Sequence, residues 1–327
     1  FSDSGKLMAL EGFITNVTEQ KKVELDLRNE NTKLKNSFKD RYKFGNIVGK
    51  SDLMQAVYDL ILHSSSNNAN IIIYGESGTG KELVAHSIHN LSDRKKNAFV
   101  AVNCGAINEN LIESEFFGYK KGAFTGASSD TLGYFDKSDG GSLFLDELGV
   151  MSMSMQVKLL RAIEGQGYTP VGGNSVKTSD FRIIAATNQN LKELIKNKRM
   201  REDFYYRIHI LPIFLPPLRE RKEDIPLLID HFIQIYPNKD SKKITMPNHI
   251  REAFNRYDWP GNVRELQNAV YRYLTLGEIV FINEEPMLEN NLYENFHKDI
   301  SGSQKGLDIV MAQLEKKIIL KTLEKFQ

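Results

Sequence analysis

The segment IIIYGESGTGKE, Ile71 to Glu82, constrains this chain more than any other stretch. Four β-prone residues run into Gly75, Glu76, Ser77, Gly78, Thr79, Gly80 and Lys81, and the following ELVAHSIHNL has helical apolar spacing. A glycine-rich turn between a strand and a helix lets backbone N–H groups close on phosphates. It also faces them with a helix N-terminus and sends the lysine to the terminal ones. At one point the pattern departs from the general rule: Glu82 stands where Ser or Thr normally binds Mg²⁺. A metal there must lean on other ligands or on water.

The surroundings supply the sheet that such a turn needs. From Ile47 to about Pro216, short β-rich runs at 71–74, 99–102, 142–145, 181–186 and 210–214 alternate with helical stretches. That alternation predicts an α/β fold, a parallel sheet with helices on both faces. From Lys222 to about Leu276 the apolar spacing is helical only, which predicts a small all-helical domain. Before the sheet, Val23, Leu27, Leu34 and Phe38 form a narrow apolar stripe in a charged run, which favours a linker helix that pairs with something. The Asn-rich stretch 289–303 reads as a linker, and Leu307, Val310, Met311, Leu314 and Ile318 mark a last amphipathic helix.

Several polar residues fall where strands should end. GGSLFLDEL closes a buried-strand pattern with Asp146 and Glu147. At the carboxyl edge of a parallel sheet one carboxylate can hold Mg²⁺ through water, and its neighbour can orient or deprotonate an attacking water. RIIAATN delivers Thr187 and Asn188 to another strand end, where an amide could sense a γ-phosphate. Arg201 and Arg207 lie far along the chain from the phosphate loop; one or both could stabilise transition-state charge from a neighbouring subunit. Pairing of these arginines with Glu202 or Asp203 is equally consistent with the spacing. In WPGNVRELQNAV, Arg264 follows a Pro-Gly turn near a helix start and could reach back to the nucleotide.

Bulk properties narrow the setting. Lys and Arg number 43 against 42 Asp and Glu, a net charge of +1, so any nucleic-acid contact is local or lies outside this chain. A single cysteine, Cys104, excludes an intramolecular disulfide framework and suits a reducing cytoplasm. No apolar run approaches the ~20 residues of a membrane span, and no basic-then-apolar leader opens the chain. The expected location is therefore the cytoplasm. The chain starts without Met and reads as an excised fragment.

GESGTGKE, GAFTGA, GSLFLDE, REDFYYRI, LPPLRERKEDI and WPGNVREL stand in the order and spacing of the bacterial enhancer-binding proteins of the NtrC-like class. These are AAA+ ATPases that activate sigma-54 RNA polymerase, and the resemblance covers about residues 44–286. The family carries a Glu after the loop lysine, as this chain does with Glu82. The resemblance implies an αβα ATPase subdomain over 44–218 and a helical lid over 219–288. It further implies a ring, commonly a hexamer, with a dimer as an inactive state and ATP or ADP with Mg²⁺ between subunits. By position Lys81 would bind phosphate, Asp146 would organise Mg²⁺ and Glu147 would activate water. Asn103 would restrain that glutamate, Asn188 would be a first sensor and Arg264 a second, and Arg201 and Arg207 would be finger candidates acting in trans.

Gly122, Ala123, Phe124, Thr125, Gly126 and Ala127 would form an inserted loop that touches sigma-54, with Phe124 and Thr125 at its tip. The small neighbours leave Phe124 free to seek a partner. GFITNVTEQKKVE is similar to the last strand of a PAS sensor running into a signalling helix, although Asn16 stands where Asp is usual, which implies a sensor remnant over 1–18 and a linker helix over 19–43. After a linker at 289–306, residues 307–327 look like the first helix of a Fis-type DNA-binding domain that would contact enhancer DNA, and the chain stops before any helix-turn-helix. Two other functions are compatible with a phosphate loop: a nucleotide-gated scaffold or repressor, and an unfoldase acting on general protein substrates. The intact GAFTGA, Glu147 and both arginines argue against the first. The Gly-Ala frame of the loop argues against the second.

Overall fold

Side chains alternate across each strand, and here that alternation divides the interior into two layers. The computed structural model describes residues 43–236 and 246–276. The sensor-like start and linker helix up to residue 42, the end of the lid from 277, the second linker and the terminal helix lie outside the described residues. A small antiparallel pair, β1 (Lys43–Phe44) and β2 (Ile47–Val48), precedes α1 (Asp52–Ser65). Then follow β3 (Ile71–Tyr74), α2 (Lys81–Leu91), β4 (Phe99–Asn103), α3 (Ile112–Phe117), α4 (Tyr134–Lys137) and β5 (Ser142–Asp146). The α/β part closes with α5 (Met153–Ile163), β6 (Arg182–Thr187), α6 (Leu191–Lys196), α7 (Glu202–Ile208) and β7 (Leu211–Phe214). Among the described residues three helices follow: α8 (Ile225–Ile235), α9 (Asn248–Arg256) and α10 (Asn262–Leu276).

Five strands form one sheet in the order β4-β5-β6-β3-β7, every neighbour parallel. Each falls within a residue of the run expected from the sequence. Odd positions of β3, Ile71 and Ile73, face one layer with Phe144, Ile184, Ala186 and Ile213. Against these pack Met54, Val57 and Ile61 of α1 and Val84, Ala85 and Ile88 of α2. Ile72 faces the opposite layer with Leu143, Leu145, Ile183 and Ala185, covered by α3, α5 and α7 through Phe116, Met155, Leu159 and Phe204. The sheet is thus sandwiched between helices, as expected. Burial on both faces explains why these strands read as unbroken apolar runs.

Helix starts follow local chemistry. Ser51 accepts the Met54 N–H at 3.4 Å to cap α1, Ser152 accepts Met155 N–H at the start of α5, and Asn190 accepts Lys192 N–H at the start of α6. None of the described helices is long and apolar enough to cross a membrane.

Candidate functional site at the carboxyl edge of the sheet

Parallel strands end on one edge, and β6 lies between β3 and β5. Its end therefore stands between the phosphate loop and the acid pair, although it comes later in sequence than both. Gly78 (φ +79°) and Gly80 (φ +103°) are left-handed, the conformation that closes the loop onto the first turn of α2. Lys81 Nζ folds back on the loop and donates to the carbonyls of Gly75 (3.0 Å) and Glu76 (3.1 Å). Burial lowers its ammonium below the ordinary lysine range, while Asp146 pulls it the other way. Thr79 Oγ1 donates to Glu76 O at 2.8 Å, and Glu82 is exposed on α2.

Asp146 ends β5 in register with Asn103 at the end of β4. Its Oδ1 accepts the Glu147 N–H at 2.9 Å. Glu147 is a non-glycine residue with φ +55°, a strained turn of the kind that concentrates at functional sites. Its carboxylate presses on Gly105: a Cβ there would overlap Glu147 Oε2 and come within 3.3 Å of Asn103 Oδ1. Asn103 thus stands beside the acid pair, with its side-chain oxygen accepting from Gly105 N–H (2.8 Å) and Ala106 N–H (3.1 Å). Asn188 is exposed at the end of β6, in a cleft of about 560 Å³ shared with Gly75, Glu76, Thr187, Tyr205 and Phe214.

The helical segment reaches the loop directly. Val263 and Arg264 donate their N–H groups to Gly78 O at 3.0 and 3.3 Å, and Arg264 Nη1 lies 3.5 Å from Ser77 Oγ. A Cβ on Gly78 would overlap Gly261 O, so glycine is needed for this close approach. The two other arginines differ from each other. Arg201 forks onto Asp203 at 3.0 and 2.7 Å, the local pairing that its spacing allowed. Arg207 is exposed on α7, and its guanidinium has no side-chain partner among the described residues.

Four residues of this region were assigned no role from sequence. Arg219 makes a two-pronged contact with Glu76 at 2.6 and 2.9 Å and holds that carboxyl below the usual carboxylate range. Asn262, fully buried with φ +55°, bonds Glu76, Ser77 and Leu218 together. Arg221 is buried and donates to Thr79 O at 3.1 Å. Buried Asp224 accepts from Lys50 N–H, Ser51 N–H and Ser51 Oγ. The quoted stretches LPPLRERKEDI and WPGNVREL contain all four, and their shared signal is a cluster of charge beside a helix start.

The GAFTGA segment stands on a built stem. Tyr119 and Thr131 exchange backbone bonds at 3.0 and 2.9 Å, while Lys120 N–H donates to Val171 O and Val171 N–H to Gly118 O. Lys120 Nζ reaches Asp130 at 2.6 Å, and the Lys121 N–H donates to the same carboxylate. At the tip Gly122 (φ +83°) and Gly126 (φ +102°) have open space around them. Phe124 is partly supported from within the loop and otherwise exposed. Its ring rests 4.9 Å from that of Tyr119, 41% of the residue stays exposed, and Ala127 is buried. Thr125 is exposed beside it.

Comparison with known proteins agrees with this geometry. The family described as sigma-54 interaction domain matches residues 47–214, and the AAA+ ATPase lid domain matches residues 219–303. Nitrogen fixation protein AnfA of Azotobacter vinelandii is 46% identical over 255 residues, 77% of this chain and 48% of the relative. DNA-binding transcriptional regulator NtrC of Rhizobium meliloti is 45% identical over 246 residues, 75% of this chain and 51% of the relative. The structure of NtrX from Brucella abortus in complex with ADP superposes with a TM-score of 0.66 at 33% identity, covering 81% of this chain and 60% of that one. The chain spans about half the length of the curated relatives it matches. It carries a sigma-54 interaction domain of the AAA+ P-loop fold with its lid, and it belongs to the family of sigma-54-dependent transcriptional activators.

Proposed function

We propose that this chain hydrolyses ATP as a ring-shaped homo-oligomer in the bacterial cytoplasm and uses the cycle to remodel sigma-54 RNA polymerase at closed promoters. The observation that carries the reading is the convergence of Lys81, Asp146, Glu147, Asn188 and Arg264 on one sheet edge, in a chain that matches the sigma-54 interaction domain. The ADP complex of the NtrX neighbour supports nucleotide binding by this chain.

The phosphates would lie against the N–H groups of residues 76–81 and the start of α2, with Lys81 leaving its loop carbonyls for the β- and γ-oxygens. Arg264 would reach the phosphates from the lid, and Asn188 would contact the γ-phosphate through its amide. Glu147, held out of the sheet by its strained turn, would orient the attacking water and take its proton. Asn103 would restrain that glutamate until the partner is engaged. No cluster of three His, Cys, Asp or Glu ligands occurs among the described residues. The single carboxylate of Asp146 fits Mg²⁺, an ion usually held by one or two carboxylates together with phosphates and water. When bound, Mg²⁺ would neutralise charge on the β- and γ-phosphates.

Arg207, with its free guanidinium, suits a finger reaching a neighbouring subunit better than Arg201, which must first leave Asp203. Phe124 and Thr125 would be presented to sigma-54 by the hydrogen-bonded stem. Enhancer DNA would be bound by a domain beyond this chain.

The test measures ATPase rate per chain across protein concentration, coupled to open-complex formation with sigma-54 polymerase. A rate that rises with concentration, accompanied by opening, is expected. Phe124→Ala should retain hydrolysis and lose opening. Failure of wild type in both assays would overturn the reading, and opening by Phe124→Ala would remove the loop from it.

A further inference from the structure

A carboxylate inside a loop that receives a polyanion is electrostatically awkward, and Glu76 is the second residue of the phosphate loop. In this chain it is tied off from two directions. Arg219 Nη2 and Nη1 donate to Oε1 and Oε2 at 2.6 and 2.9 Å, and Asn262 Nδ2 donates to Oε2 at 3.1 Å. Asn262 Nδ2 also lies 3.0 Å from Ser77 O, while its Oδ1 accepts the N–H of Leu218, the residue before Arg219, at 2.8 Å. One buried side chain therefore joins three segments: the loop at 76–77, the connector at 218–219 and the first turn of α10. The next two N–H groups of α10 add their bonds to Gly78 O.

Resting on the nucleotide-binding reading of this loop, we propose that Arg219 and Asn262 are positioning residues that clamp the phosphate loop to the lid through Glu76. The clamp does two things. It neutralises Glu76, so the loop can accept phosphates without an uncompensated negative charge beside them. It also makes the seat of α10 and the shape of residues 76–78 a single variable, so a lid that tilts away pulls on Glu76 Oε2 and on the carbonyls of Ser77 and Gly78. Arg219 acts on nucleotide through Glu76 and not by touching the phosphates.

A double-mutant cycle read by equilibrium binding of a fluorescent ADP to the full chain tests this. Arg219→Gln strands the Glu76 carboxylate and is expected to weaken ADP binding about fivefold, the upper range for an exposed ion pair. In a Glu76→Gln background the same Arg219→Gln change should have almost no effect, because the fork has lost its partner. Arg219→Lys keeps the charge without the fork and should fall between the two. Both Glu76 and Arg219 are partly exposed, so these variants are expected to fold; Asn262→Ala, at a buried left-handed position, is the less secure test.

An equal loss from Arg219→Gln in both backgrounds would mean that the arginine meets the nucleotide directly, and would overturn the clamp. Unchanged affinity in Arg219→Gln would also overturn it. Failure of the wild-type chain to bind ADP would instead bring down the nucleotide-binding reading on which the clamp rests.

Discussion

Asp224 offers the sharpest test of how the lid is joined to the sheet. It is fully buried just before α8, and its two oxygens take three hydrogen bonds from the start of α1: Lys50 N–H at 2.6 Å, Ser51 N–H at 2.9 Å and Ser51 Oγ at 2.8 Å. Asp224→Ala removes all three and strands two backbone donors. It also deprives buried Arg221 of a nearby negative charge. Bonds to an ionised group contribute about 1.5 kcal/mol each at the low end of their range, so the three together give about 4–5 kcal/mol. The cost of breaking a buried charge arrangement, about 3–5 kcal/mol, leads to the same value independently. For a chain of 327 residues, with an unfolding entropy of about 2.1 cal/mol/K per residue, that is a fall in Tm of roughly 6–7 °C.

The assay is urea denaturation followed by far-UV circular dichroism and by the fluorescence of Trp259, the single tryptophan, buried and bonded to Phe254 O within the lid. The comparison variant is Asp224→Asn, whose carbonyl can still accept from the two N–H groups while its amide turns to Ser51 Oγ. It should cost well under half as much as alanine. If alanine cost less than about 1 kcal/mol, or asparagine cost as much as alanine, buried acceptance of these bonds would not be what joins α8 to α1.

Three further outcomes follow from the site. Glu147→Gln should bind ATP and stop turning it over, measured as retained nucleotide binding with loss of phosphate release; normal turnover would remove Glu147 as the base. Arg207→Ala mixed with wild type should depress ATPase activity more than its share of subunits, and simple additivity would count against a finger acting in trans. Cys104 is buried, and that burial, with a smaller push from Asp146 and Glu147, raises its thiol to about 12. Because the thiolate is the nucleophile and its population falls as the pKa rises, native protein should resist alkylation at pH 8 while urea-unfolded protein reacts. Equal rates in the two states would show that the thiol is accessible.

What the sequence disclosed and what it hid differ in range. The central strands β3, β5 and β6 are legible because both their faces are buried, which turns each into a short, largely apolar run that needs no partner to be recognised. The phosphate loop, Asp146 and Glu147 are legible for a similar reason, since each is a local pattern beside a strand. Glu76 gave no sign of its partners: Arg219 and Asn262 lie 143 and 186 residues further on, and nothing local pairs them. Asp224 sits in a charged run with no local partner for it in sequence, and its acceptors are filled by a helix start about 170 residues earlier. The support under Phe124 was hidden for the opposite reason. Tyr119 is five residues away, but a run of Gly, Ala and Ser conceals that backbone bonds from Thr131 and Val171 set the tyrosine under the ring.

Those same bonds locate where the GAFTGA loop is stiff and where it can move. Gly118 and Gly133 are packed so closely that a Cβ on either would overlap backbone of the opposite limb, so the base closes only with glycine at both positions. The base is also joined to the acid pair along a continuous path. Glu147 leads through a short 3₁₀ turn into α5, and α5 leads into the hairpin held by Tyr168 and Lys177, whose Val171 bonds to the stem. Lys177 Nζ in turn grips Asp136 of α4 at 2.7 Å, on the other limb. Chain continuity and these bonds therefore connect Glu147 to the base of the loop. At the tip, no neighbour lies within 4 Å of the side-chain direction of Gly122 or Gly126, and the turn is closed by its own backbone bonds, Gly122 N–H to Ala127 O and Ala127 N–H to Phe124 O.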